Sequence, residues 1–207
     1  MCKIATILTD GPVLSLQNGL GNHEILKNHF FENSAVGVTT NAVKRTSPGK
    51  IEWVGKGNLI IGGAKAEAFC ETLQQLSAEY SGDVSRTIWN KLLLNVAINP
   101  LAAICGVLNG ELRFEPLLSQ AESTMLEAAN IARMMGIEIS DDQELIQNLH
   151  SVLDSTADNE CSMLADVKAG RETEIDFLCG QVVQRGERLG VPTPLNSMLL
   201  SQIKSLR

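Results

Sequence analysis

No stretch of this 207-residue sequence interleaves basic with aromatic residues, and its net charge is −7, which argues against nucleic acid as the main partner. Histidine is scarce: His23, His29 and His150 are scattered, so no histidine-based metal site is expected. The five cysteines, Cys2, Cys70, Cys105, Cys161 and Cys179, are odd in number and contain no C-x-x-C pair. They read as reduced thiols, not as bridges or zinc ligands. No apolar run approaches the ~20 residues of a membrane span without polar interruption. Met1–Asp10 lacks the architecture of a secretion signal. Internal repeats, low-complexity segments and a Gly-Lys-Ser/Thr phosphate loop are also missing. These absences leave the expectation of a cytoplasmic chain with no membrane partner. A 44% hydrophobic content suffices for a real core, in one large domain or two small ones.

What is present is concentrated in Arg86–Leu108, which predicts one long helix buried on nearly every side. Three polar side chains interrupt it, Lys91, Asn95 and Asn99, four residues apart each time. At about 3.6 residues per turn they drift only roughly 80° and form a polar ladder about 12 Å long. A buried amine and two buried amides are costly unless hydrogen-bonded. Either the protein supplies the partners, as in a buried helix with a satisfied lysine, or a ligand does. Pro100 lacks an N–H and disfavours helical angles at Asn99, which predicts a kink that frees carbonyls and projects Asn99 outward.

Before this helix the pattern is α/β. Pro12–Leu16 predicts a strand, Gln17–Gly21 a turn, and Asn22–Phe31 a helix with Asn22 as N-cap, together a parallel unit that places ligands at strand carboxyl ends. Ser34–Val43 reads as a second strand and Thr46-Ser47-Pro48-Gly49 as a turn. Lys50–Val54 and Asn58–Ile61 read as a hairpin around Gly55-Lys56-Gly57, and Ala64–Ala78 as an amphipathic helix. From Asp83 onward the signal is helical, with further helices at Glu115–Met135, Asp141–Ser155, Thr173–Leu189 and Pro194–Leu206. A boundary near Gly82 therefore divides residues 1–82 from an all-α region, 83–207.

Two smaller features carry chemical interest. Gly19-Leu20-Gly21 begins like a dinucleotide fingerprint, but Glu24 occupies its third glycine position, and no acidic residue ends a second strand about 20 residues on. Thr173 predicts a helix N-cap with Asp176 in a capping-box arrangement, which makes Glu174 the first helical residue. Its carboxylate there compensates the helix dipole, a structural role, or serves a site. Ser162–Asp166 reads as a short helical turn.

In order, the segments Leu14–Gly21, Gly37-Val38-Thr39-Thr40, Trp89–Asn95 with Ile98-Asn99-Pro100-Leu101, Ser162–Asp166 and Thr173–Asp176 resemble the ketopantoate reductase (2-dehydropantoate 2-reductase) family. The resemblance covers essentially the whole chain. It implies a Rossmann-like α/β domain followed by an all-helical domain of the 6-phosphogluconate-dehydrogenase-like type, which serves substrate binding and dimerisation. The implied reaction is NADPH-dependent reduction of ketopantoate to pantoate, on the route to pantothenate. Lys91 would polarise and protonate the carbonyl oxygen, stabilising developing alkoxide charge. Glu174 would be its acidic partner near cofactor and substrate. Asn95, Asn99 and Ser162 would bind the substrate, and Asn18 would sit where nicotinamide and substrate meet.

The departure is at the front. Family members open with a G-x-G-x-x-G strand–loop–helix, whereas this chain begins just before the equivalent of a fifth strand, so a truncated dinucleotide-binding domain is expected. Asn41 stands where many relatives carry histidine. Weak or absent NADPH binding and self-association into a homo-oligomer, a dimer first of all, follow from the missing strands. The competing expectation is a non-catalytic remnant acting as a dimerisation or small-acid-binding module. A third is a reductase of another 2-keto acid.

Overall fold

The structure, a computed structural model, describes residues 11–206. The chain divides into two compact units, one of Met1–Gln17 with Gly21–Val84, the other of Asn18–Leu20 with Ser85–Arg207. The expectation for Met1–Asp10 lies outside the described residues.

In the first unit, β1 (Val13–Ser15), α1 (Asn22–Phe30) and β2 (Ser34–Thr39) form a parallel crossover with Val13 opposite Ser34. The remaining elements are β3 (Ala42–Ser47), β4 (Lys50–Gly55), β5 (Leu59–Gly63), α2 (Ala66–Thr72) and β6 (Ala78–Tyr80). The main sheet has the order β1-β2-β5-β6, with β2 and β5 antiparallel and β5 and β6 parallel, so it is mixed where a parallel sheet was expected. Ala35, Leu59, Ile61 and Ala66 form its small core.

Three local expectations are corrected here. The strand expected at Ser34–Val43 is two, because the chain leaves the sheet at Thr40–Asn41. There the Asn58 N–H donates to Thr40 Oγ1 (2.9 Å), the Thr40 N–H to the Asn58 carbonyl (3.0 Å), and the Gly57 N–H to Asn41 Oδ1 (3.0 Å). A Cβ at Gly57 would lie 2.4 Å from the Thr40 carbonyl carbon, so only glycine lets the two backbones close. The hairpin is β3–β4, turning through Pro48-Gly49 with Gly49 at φ 75°, not a pairing of Lys50–Val54 with Asn58–Ile61. β5 instead pairs with β2, where Ile61 and Leu59 become buried. The helix expected through Ala78 ends at Thr72. Ser77 then adopts φ 52° and the chain returns as β6 to satisfy the edge of β5.

The second unit holds α3 (Val84–Cys105), α4 (Leu117–Met134), α5 (Asp142–Ser155), α6 (Ser162–Lys168), α7 (Cys179–Leu189) and α8 (Pro194–Ser205). α3 is the axis of its core: Leu92, Leu93, Val96, Ala97 and Ala102 are at most 1% exposed. They share a cluster with Met125 and Ala128 of α4, Leu149 and Leu153 of α5, Met163 of α6, Val182 of α7 and Leu199 of α8. Each fully buried leucine contributes about 1.5–3 kcal/mol. α3 has the length and apolarity of a membrane span, but over half of that stretch is buried within the protein, as in a core helix.

The helix stops at Cys105, short of Leu108, because Gly106 turns left-handed at φ 69°. It runs through Pro100 with Asn99 still helical, against the expectation of non-helical angles there. Pro100 deletes one N–H, and the packed neighbours keep the rest of the helix in place. At the far end, Pro194 occupies the first turn of α8, whose N–H groups at Leu195 and Asn196 donate to the Glu127 carboxylate at 3.0 and 2.8 Å.

Candidate functional site

The candidate residues lie on four pieces of the second unit: the Asn18–Leu20 loop, α3, the start of α6, and the turn at Glu174–Phe177. The loop and the turn are tied together. Asn18 Nδ2 donates to Glu174 Oε2 at 3.0 Å, and the Leu20 N–H donates to the Phe177 carbonyl at 2.9 Å. Gly19 between them has φ 85°, and a Cβ there would lie 2.2 Å from the Phe177 oxygen. No side chain fits that position.

This tie explains why Thr173–Leu189 is not one helix. A continuous helix would engage the Phe177 carbonyl with the Gln181 N–H, but Leu20 takes that carbonyl and Gln181 turns to Leu178. Ile175–Phe177 is a single 3₁₀ turn, Leu178 has φ −103° and ψ −103°, and α7 begins at Cys179. Glu174 therefore precedes a short turn instead of opening a long helix, and it makes no side-chain cap. Thr173 is no N-cap either: its Oγ1 is buried with no hydrogen-bond partner among the described residues. The expected capping box is overridden by a contact from residue 20.

Lys91 is partly buried on α3 and interacts electrostatically with Glu174. Burial pushes its pKa below the ordinary lysine value, and the Glu174 charge acts in the opposite sense. Asn18, Lys91 and Glu174 thus form one polar group. Such an arrangement can hold a cation beside a carboxylate and pass a proton to a bound oxygen.

Asn95 and Asn99 follow on the same helix, both partly buried. Ser162 is exposed at the first position of α6. The two asparagine side chains make no hydrogen bond among the described residues, with Ser162 or with any other. The link between Asn99 and Ser162 is a residue the sequence reading passed over. Cys161 Sγ lies 3.6 Å from the Asn99 carbonyl and accepts the Leu164 N–H at 3.4 Å. Cysteine is not among the usual helix caps, so only its place before Ser162 could have drawn notice. Among the described residues no group of acidic, histidine or cysteine side chains is arranged to hold a metal.

Residues 83–207 match the family described as ketopantoate reductase PanE/ApbA C terminal, and residues 1–66 match ketopantoate reductase PanE/ApbA. The chain belongs to the ketopantoate reductase family. It is 34% identical to a 2-dehydropantoate 2-reductase of Archaeoglobus fulgidus over 95% of this chain and 68% of that protein. Identity to the Pyrococcus horikoshii 2-dehydropantoate 2-reductase is 35%, over 96% of this chain and 68% of the relative. Among solved structures, a PanE/ApbA family ketopantoate reductase from Ralstonia eutropha is similar with a TM-score of 0.85 and 30% identity, covering 94% of this chain and 66% of that one. D-mandelate dehydrogenase in complex with NADH is similar with a TM-score of 0.88 and 27% identity, covering 96% and 70%. The chain thus spans about two thirds of the length of its relatives. The fold is that of the ketopantoate reductase family: a small mixed sheet with helices, then a helical C-terminal region.

Proposed function

We propose that this chain acts as a 2-dehydropantoate 2-reductase, reducing the 2-keto group of ketopantoate with NADPH. The single observation that carries the reading is the Lys91–Glu174–Asn18 group: a partly buried amine electrostatically joined to a carboxylate that Asn18 holds in place. Lys91 donates a proton to the keto oxygen and stabilises its developing charge. Asn18 fixes the Glu174 carboxylate, and the Glu174 charge partly offsets the effect of burial on the amine. Asn95 and Asn99 bind the substrate's polar groups, and Ser162 its carboxylate. Residues 1–82 serve as part of an NADP-binding domain and residues 83–207 as the substrate and dimerisation domain. A cytoplasmic location suits the unbridged Cys70, Cys105, Cys161 and Cys179.

Asn18 and Glu174 suit the reacting end of the cofactor, which supplies hydride when bound. The Gly19–Gly21 loop does not suit its diphosphate, because the Leu20 N–H is already bonded to Phe177 and the space beside Gly19 is filled. With only its reacting end suited by these residues, NADPH is expected to bind weakly and to turn over slowly. A second reading, a different 2-keto acid, draws support from the similarity to D-mandelate dehydrogenase, also solved with NADH and anilino(oxo)acetate at 26% identity. A third is a non-catalytic dimerisation or small-acid-binding module.

Following NADPH oxidation with ketopantoate and with aryl 2-oxo acids separates these readings. Turnover of ketopantoate that falls about 10²–10⁴-fold in Lys91→Ala supports the reductase. Preference for the aryl acids favours the second reading. Binding of the acid with no oxidation at any NADPH concentration favours the third.

A further inference from the structure

Cys161 is buried, and nothing in the proposed chemistry uses it. Its sulfur nevertheless lies between two substrate-binding pieces. On one side it is 3.6 Å from the carbonyl of Asn99, in the turn of α3 that ends at Pro100. On the other it accepts the Leu164 N–H at 3.4 Å and so caps α6, whose first residue is Ser162. Burial pushes the Cys161 thiol above its ordinary pKa, so at neutral pH it keeps the proton that it gives to Asn99. One small group thereby donates to the helix bearing Asn99 and accepts from the helix bearing Ser162. A thiol is a weak donor and a weak acceptor, so its value lies in placement more than in strength.

The structure assigns Cys161, we infer, the role of a positioning residue that sets the spacing between Asn99 and Ser162 and so tunes affinity for the carboxylate end of a 2-keto acid. The inference rests on the proposed substrate-binding roles of Asn99 and Ser162. Cys161 acts through those two residues and touches no reacting atom. Changing it therefore alters acid binding and leaves the proton-transfer step at Lys91 alone.

The test titrates ketopantoate calorimetrically, in the presence of NADP+ so that no hydride is transferred, into the full chain and into Cys161→Ala, Cys161→Ser, Ser162→Ala and the Cys161→Ala/Ser162→Ala double variant. Melting curves run in parallel. Cys161→Ala is expected to weaken binding about three- to tenfold, the scale of a lost hydrogen bond. Serine retains a donor and an acceptor and caps helices well, so Cys161→Ser is expected to stay within about twofold of the parent. In the double variant the Cys161→Ala effect should shrink, because its route runs through Ser162. If Ser162→Ala weakens binding while Cys161→Ala does not, the positioning role is wrong and the substrate-binding reading stands. Full additivity in the double variant likewise overturns the positioning role. If the parent fails to bind ketopantoate, or Ser162→Ala leaves binding unchanged, the substrate-binding reading itself fails. Should Cys161→Ala not fold, Cys161→Ser decides: a loss of affinity beyond fivefold at an unchanged melting temperature shows that sulfur does not act as this two-sided hydrogen-bonding group.

Discussion

Two opposing effects act on the Lys91 amine. Burial favours its neutral form and the Glu174 carboxylate its charged form, with burial the larger. If protonated Lys91 is the proton donor, the reduction rate falls as pH rises, with a midpoint below the roughly 10.4 of a free lysine. Titrating kcat against pH checks this, and a rate flat up to pH 10 would rule the donor out. Stability moves the other way. The folded pKa is lowered, so between it and the unfolded value the unfolded chain binds more protons, and stability rises with pH across that window. Lys91→Met removes that rise, measurable by urea unfolding at several pH values. Gly19 gives the second prediction at this scale. With φ 85° and no room beside the Phe177 carbonyl, Gly19→Ala should cost about 2 kcal/mol or more and loosen the loop that presents Asn18. An unchanged denaturation midpoint would mean that the loop is not held as described.

At the scale of elements, the decisive contacts are side chains or loops from far along the sequence that settle helix ends. α8 is started by Glu127 of α4, whose carboxylate accepts the N–H groups of Leu195 and Asn196 and Nδ2 of Asn196. Glu127→Ala strands those donors, and Asn196 is fully buried, so a loss of about 2 kcal/mol is expected. It would appear as a lower urea midpoint at unchanged slope. A loss below about 0.5 kcal/mol would show that the α8 end is satisfied by water. The 3₁₀ turn before α7 is settled in the same way: its Phe177 carbonyl is claimed by Leu20, so Glu174 faces Asn18 and Lys91 instead of capping a helix.

At the scale of the whole molecule, the Gly19–Gly21 loop does not suit a dinucleotide diphosphate, because Phe177 already takes the Leu20 N–H and fills the space beside Gly19. Isothermal titration should therefore show NADPH binding weaker than roughly 1 μM, less than about 8 kcal/mol in magnitude. Light scattering should show a dimer or larger assembly, since the proposed dimerisation domain is present. A monomer with tighter cofactor binding would refute both expectations. The exposed Val43, Ile51 and Trp53 of the β3–β4 ribbon add apolar surface that favours association.

The sequence by itself determined the central helix and its spacing. Lys91, Asn95 and Asn99 recur at the helical period within an apolar run, and periodicity is a local property that survives any packing. It also determined family membership, because five short motifs in order do not depend on how the chain is placed in space. Tertiary structure alone decided the rest. The Ser34–Val43 run became two strands because Gly57 and Asn58 meet Thr40 and Asn41, and the Ala64–Ala78 run broke because β5 required a partner. The capping box at Thr173 lost to a hydrogen bond from Leu20. Cys161, a mere reduced thiol by composition, became the link between Asn99 and Ser162. Each is a hydrogen bond between groups distant in sequence, worth about as much as the local preference it displaced, so no local pattern could foretell which would win.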